Sequence, residues 1–135
     1  MPLQRLDHYF VFASDLEQSR QFYSEVLELE MGPRPDFGFP GHWFYLEDRP
    51  VVHLGNAEFE GGYTTDDSPR EITGSTGPVD HIAFRGDGID TFIERFERMN
   101  VDFQRREVPD FKLSQLFVKD PEGVTIELNF FHSDG

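Results

Sequence analysis

The chain reads twice. LDHYFVFA (residues 6–13) and VDHIAF (residues 79–84) are short β-prone runs that carry Asp-His at the same place. A helical pattern follows each. After the first, Leu16, Phe22, Tyr23, Val26 and Leu27 recur at helical spacing behind Asp15, a side chain suited to accept from the free N–H groups of a helix start. After the second, a helix starting near Asp87 or Gly88 carries Ile89, Phe92, Ile93, Phe96 and Met99 on one stripe, and Asn100 stops it. Three strand-like runs close each half, near 29–32, 42–47 and 50–55, then 102–108, 112–119 and 123–130. The last two runs of each half are joined by turn chemistry, Glu47-Asp48-Arg49-Pro50 and Asp120-Pro121-Glu122-Gly123. Each half therefore reads β-α-β-β-β, and the expected class is α+β.

Spacing supports the duplication. His8 to His53 is 45 residues and His81 to Glu127 is 46, so His53 holds in the first half the place Glu127 holds in the second. The modules are expected at about 1–56 and 78–132 of one domain, with 57–77 as a polar linker. A linker of that length is a lid or a plain connection. Tyr63 within it is a candidate lid residue, and Asp66-Asp67 read as solvation.

Composition bounds the chemistry. With 15 Phe in 135 residues the chain can bury a real core. A net charge of −14 disfavours nucleic-acid and anionic-membrane partners. The absence of cysteine removes thiolate nucleophiles and Cys-ligated metals, so any metal must be held by His, Asp or Glu. No apolar run reaches the roughly 20 residues needed to span a bilayer, and no signal-like start is seen, so a cytoplasmic protein is the expectation.

Three polar residues then stand out. Glu127 lies inside VTIELNFF, where a carboxylate wants a cation or a hydrogen-bonding partner. His8 and His81 sit within apolar runs. Two modules related by a pseudo-two-fold would bring the three together as two imidazoles and one carboxylate. That set suits Fe(II) and accepts Mn(II), Zn(II), Ni(II) or Co(II). The plainer reading is that each is a hydrogen-bonded core or edge residue with no metal. His42 and Tyr45 are candidate pocket residues beside Trp43, with aromatic packing as the plainer account. Arg105 and Arg106 read as a solvated strand edge. His132 is expected to be disordered. Phe10, Phe12, Phe37, Phe39 and Phe44 divide between pocket and core.

Residues 6–30, GHWFYLEDRPVVHLG, GPVDHIAF and LFVKDPEGVTIELNF together resemble the vicinal oxygen chelate superfamily, which includes glyoxalase I, extradiol dioxygenases, methylmalonyl-CoA epimerase, and fosfomycin- and bleomycin-resistance proteins. The resemblance covers nearly the whole chain. It implies a cupped mixed sheet of two βαβββ modules and a divalent metal on His8, His81 and Glu127. It also implies a small substrate chelated through two neighbouring oxygens, and a homodimer. Glyoxalase I usually carries a carboxylate where this chain has His53, which weakens that assignment. His53 is left open as fourth ligand, second-sphere acid or base, or pocket residue. The expected function is a metal-dependent enzyme, extradiol-dioxygenase-like or a glyoxalase-like lyase or isomerase. The alternative is a non-catalytic module that sequesters a small molecule.

Overall fold

The structure is a computed structural model that describes residues 2–56 and 74–132. It divides into two compact units, with the boundary between Thr73 and Gly74. The expected linker falls mostly outside the described residues, as do Tyr63, Asp66 and Asp67.

Unit 1 contains β1 (Tyr9–Ala13), α1 (Leu16–Gln21), β2 (Glu30–Gly32), β3 (Gly41–Leu46) and β4 (Arg49–Asn56). The strand order is β1-β4-β3-β2, with β1 parallel to β4 and the other pairs antiparallel. Asp15 caps α1, its carboxylate accepting from the Gln18 N–H at 3.0 Å. The helix runs on as a π-turn over Phe22–Val26, where the Leu27 N–H reaches the Phe22 carbonyl at 3.1 Å. That wider turn lets Phe22, Tyr23, Val26 and Leu27 all be buried, although an ideal α-helix would spread them over a broader arc. Tyr23 packs against Phe44, and Phe44, Val52 and Leu54 form the sheet side of this core.

Unit 2 repeats the plan with β5 (Ile82–Arg85), α2 (Ile89–Arg98), β6 (Gln104–Val108), β7 (Leu113–Lys119) and β8 (Thr125–Phe131). The order is β5-β8-β7-β6, again with the first pair parallel. Gly88, at φ 79°, opens α2. Asn100, at φ 56°, closes it, with the Val101 N–H bonded back to the Phe96 carbonyl and the Asn100 N–H to that of Glu97. This double bond at a left-handed residue satisfies carbonyls that a helix end leaves open. Phe92 and Phe96 meet Phe130 and Phe103, over a sheet face of Leu116, Val118, Ile126 and Leu128.

Both βαβββ modules and all eight strands are thus as expected, with small differences. The first hairpin turns at Glu47-Asp48, with Glu47 at φ 57°, and Pro50 already lies in β4. In the second, Gly123 takes φ 91°, and the buried Asp120 carboxylate accepts from the N–H groups of Glu122 (2.9 Å) and Val124 (2.8 Å). His132 is ordered, because its N–H donates to the Lys112 carbonyl (2.7 Å) and its ring meets Ser114. No helix among the described residues is long and apolar enough to cross a membrane.

Two substitutions should move stability in opposite directions. Asp120→Ala strands two turn N–H groups and should cost about 1–3 kcal/mol. Ser19 is fully buried in α1, and its hydroxyl has no partner among the described residues. Ser19→Ala should gain about 1 kcal/mol by removing that hydroxyl and improving helix propensity. Urea unfolding midpoints check both signs.

Candidate metal centre

Side chains alternate along a strand, so the helix takes one face of each sheet and the polar residues collect on the other. In unit 2, Ile126, Leu128 and Phe130 face α2. Glu127, Asn129, Gln115 and Phe117 therefore share the opposite face, and the register pairs Phe117 with Glu127 and Gln115 with Asn129. His81 lies one residue before β5, whose Ala83 pairs with Glu127. His8 likewise lies one residue before β1. Both histidines thus flank the strands rather than sit inside them, because pairing with β4 and β8 begins at Tyr9 and Ile82.

The His81 Nε2 stands 3.7 Å from Glu127 Oε1. That is too long for a hydrogen bond. It is within the separation of about 4.2 Å that two donors can reach on one ion at about 2.1 Å each. Each partner is held from behind. Asp80 Oδ2 lies 2.8 Å from His81 Nδ1. A carboxylate only accepts, so Nδ1 carries a hydrogen, and the lone pair of the neutral form of the ring is the one at Nε2. Glu127 Oε2 accepts from Asn129 Nδ2 at 3.0 Å. Asn129 Oδ1 accepts from Gln115 Nε2 at 2.9 Å, and Gln115 Oε1 accepts from Arg106 Nε at 2.8 Å. Every bond in this chain points its donor toward Glu127. The chain begins at Arg106, which lies exposed on β6. Arg106 is therefore more than a solvated edge residue: its Nε feeds this chain while its guanidinium covers Phe117.

Unit 1 presents the same Asp-His device. His8 Nδ1 donates to Asp7 Oδ2 at 2.6 Å, again leaving Nε2 as the acceptor. This bond holds the Asp7 carboxyl below its usual range. The position matching Glu127 is different in kind. His53 is buried between His8 (ring centroids 3.7 Å apart) and Trp43 (4.0 Å), all three rings nearly parallel. Its Nε2 lies 3.1 Å from the Pro50 carbonyl, so Nε2 carries a hydrogen and is committed there. Burial first, then the neighbouring His8, hold its pKa down to about 4, so the ring is neutral at pH 7. This geometry favours the pocket-wall role among the three left open for His53.

The other candidates separate by face. His42 lies beside Phe44 on the side of α1, where burial and the Arg20 charge lower its pKa. Its place with the core residues removes it from the polar face. Tyr45 donates its hydroxyl to the Pro33 carbonyl at 2.5 Å, so that donor is spent on the fold. Among the described residues no three His, Asp or Glu side chains meet at ion distance, and the convergence within unit 2 stops at the His81–Glu127 pair.

The family model of the Glyoxalase/Bleomycin resistance protein/Dioxygenase superfamily matches residues 5–128. The chain belongs to that superfamily. Its fold is shared with a glyoxalase/dioxygenase from Nostoc punctiforme (18% identity, TM-score 0.72, 96% of this chain and 92% of the other). It is shared as well with the lactoylglutathione lyase of Agrobacterium tumefaciens (18%, 0.69, 96% and 95%). A third similar structure is the fosfomycin resistance protein FosX of Listeria monocytogenes (16%, 0.68, 96% and 95%). At such identities the likeness is one of fold. No curated protein matches the chain in sequence.

Within this superfamily member, sequence reasoning missed Gln115 and Asn129. Their signal was strand parity: 115 and 129 fall on the same side as 127 once the β7–β8 register is known. A double-mutant cycle over Gln115→Ala and Asn129→Ala should return a coupling of about 0.5–3 kcal/mol in chemical unfolding. Additivity within about 0.3 kcal/mol would mean that the hydrogen-bonded chain does not act as a unit.

Proposed function

We propose that this chain is a divalent-metal-dependent enzyme acting on a small molecule bound through two neighbouring oxygens. His8, His81 and Glu127 are its proposed ligands. The observation that carries the reading is the His81–Glu127 pair, spaced at 3.7 Å with its free Nε2 and Oε1 turned together and each partner anchored from behind. His8 repeats the anchored-imidazole arrangement at the corresponding place of unit 1. Two imidazoles and one carboxylate suit Fe(II), Mn(II), Zn(II), Ni(II) or Co(II) and leave positions for substrate. A divalent ion there would draw two substrate oxygens together and stabilise negative charge as it develops on them.

The chain's own residues then have definite tasks. Asp7 and Asp80 fix the imidazole tautomers. Asn129, backed by Gln115 and Arg106, keeps Glu127 aimed. The two reaction classes considered for this chain differ in what they ask of the first module. Glyoxalase-like isomerisation wants a carboxylate base at the position of His53, where this chain has a neutral ring whose Nε2–H is already donated. An extradiol-dioxygenase-like reaction makes no such demand, and it is the class we favour. We further propose that the protein works as a homodimer, the strongly exposed Leu3 and Leu6 being apolar surface that a second copy would cover.

Metal content tests the reading. Protein expressed with mixed divalent metals and handled without air should hold about one ion per chain. Glu127→Ala and His81→Ala should each lose at least about 90% of it. Iron as the retained metal would support the dioxygenase class; zinc, nickel or cobalt would move the assignment to lyase or isomerase chemistry. Wild-type protein without metal would overturn the proposal and leave a small-molecule-binding module.

A further inference from the structure

Arg34 sits in unit 1 under conditions unusual for a chain with 26 acidic and 12 basic residues. It is part-buried, and among the described residues no carboxylate lies within ion-pair distance of it. Its guanidinium rests over the rings of Phe37 (5.1 Å) and Phe39 (4.9 Å). One N–H, from Nη2, goes to the Phe39 carbonyl at 2.9 Å. A guanidinium has five N–H donors, and the others meet no acceptor among the described residues. Burial lowers its pKa, which marks a cation stripped of part of its water, and the charge of Asp36, beyond ion-pair distance, opposes that shift.

Its position on the sheet is specific. A Cβ on Gly41 would stand 2.3 Å from the Leu54 carbonyl oxygen and 2.9 Å from Arg34 Nη2, so the guanidinium lies close against the backbone at 41. Gly41 and Trp43 are two apart on β3 and share the face turned from α1, a separation of about 6.6 Å along a strand. Trp43 begins the row of parallel rings that continues through His53 to His8, and the Phe37 ring, tilted to it, lies 6.1 Å away. Rings stacked from strand to strand stand upright on the sheet and turn their edges outward. Ring edges carry partial positive charge and attract the negative face of another ring. An aromatic wall with a partly dehydrated guanidinium beside it, in direct contact with no carboxylate among the described residues, is complementary to a flat ring bearing an anion.

We propose that this face binds a planar aromatic carboxylate, with the carboxylate on the Arg34 fork and the ring against the edges of Trp43 and its stack. Arg34 is then a specificity residue for a substrate class. The inference rests on the enzyme reading only for what happens to the ligand once bound. Its recognition elements all lie in unit 1, and none is a proposed metal ligand except His8 at the end of the stack.

Trp43 is the sole tryptophan, so its fluorescence reports occupancy directly. Benzoate, benzamide and cyclohexanecarboxylate are titrated into the purified protein. Benzoate should shift the emission saturably and bind at least about tenfold more tightly than the neutral benzamide, the margin expected for losing charge-assisted hydrogen bonds. Cyclohexanecarboxylate should also bind more weakly, having the charge without the flat ring. Arg34→Met should lose about tenfold to hundredfold of benzoate affinity, with Arg34→Lys in between. Should Arg34→Met fail to fold, the benzoate-to-benzamide ratio on wild-type protein still decides the point. The Glu127→Ala variant separates the two readings. Benzoate binding retained there places the carboxylate on Arg34 whatever the fate of the metal. Binding lost with Glu127, or equal affinity for benzoate and benzamide, would overturn the proposal.

Discussion

A carboxylate buried in the middle of a β-strand is the constraint around which unit 2 is organised. Glu127 sits between Ile126 and Leu128, both buried in the core on the other face, so it cannot be moved off its strand without turning β8 over. Leaving the charge unpaired there would be costly. The sheet meets this by aligning three side chains from two further positions on β7 and β8 and one on β6, each donating to the next, until Asn129 donates to Glu127. One oxygen is satisfied in this way. The other faces an imidazole at a distance too great for a direct bond. The chain thus runs from the exposed Arg106 through the buried Gln115 and the half-buried Asn129 to one oxygen of the buried Glu127, and leaves a 3.7 Å gap between the other oxygen and His81.

Duplication gives two copies of the frame, and the copies have diverged at the one strand position where it matters. Both units keep the parallel outer pair, the helix on one face and an Asp-His step just before the first strand. At the matching place on the last strand, unit 2 carries Glu127 within a hydrogen-bonded chain, whereas unit 1 carries His53 within a stack of rings. The surroundings follow the difference. Gln115 and Asn129 serve a charge. Trp43 and His8 enclose a neutral ring whose N–H is paid off by a backbone carbonyl.

Periodicity and turn chemistry made the eight strands, both helices and the Asp15 cap legible in the sequence, because these depend on neighbours along the chain. The Asn100 stop was legible for the same reason. The face on which a residue lands was harder. His42 and Trp43 are adjacent, and only the pairing of β3 with β4 shows that Trp43 meets His53 while His42 turns to Phe44 and α1. The π-turn at Phe22–Val26 was invisible, since it depends on packing four large residues against one sheet. The role of Asp7 and Asp80 could have been read from the repeated Asp-His step, because a carboxylate next to an imidazole has few other uses when it recurs at the same strand start. Gln115 and Arg34 gave no local signal: each acquires meaning only from a strand or loop distant in sequence.

The divergence between the units also bears on reaction class. Removing a proton from carbon requires a base whose lone pair is free near the reacting atoms. His53 holds its hydrogen at Nε2 against Pro50, and the lone pair left at Nδ1 is a weak base, because burial and the neighbouring His8 hold the ring's pKa down to about 4. His42 lies on the other face, and the Tyr45 hydroxyl is bonded to Pro33. Unit 1 therefore offers the polar face two things, an oriented imidazole at His8 and a wall of rings with a cation beside it. Those are groups that bind, align and exclude water. The proposed dioxygenase-like class, which asks for no protein carboxylate at that position, fits that inventory better than the glyoxalase-like alternative.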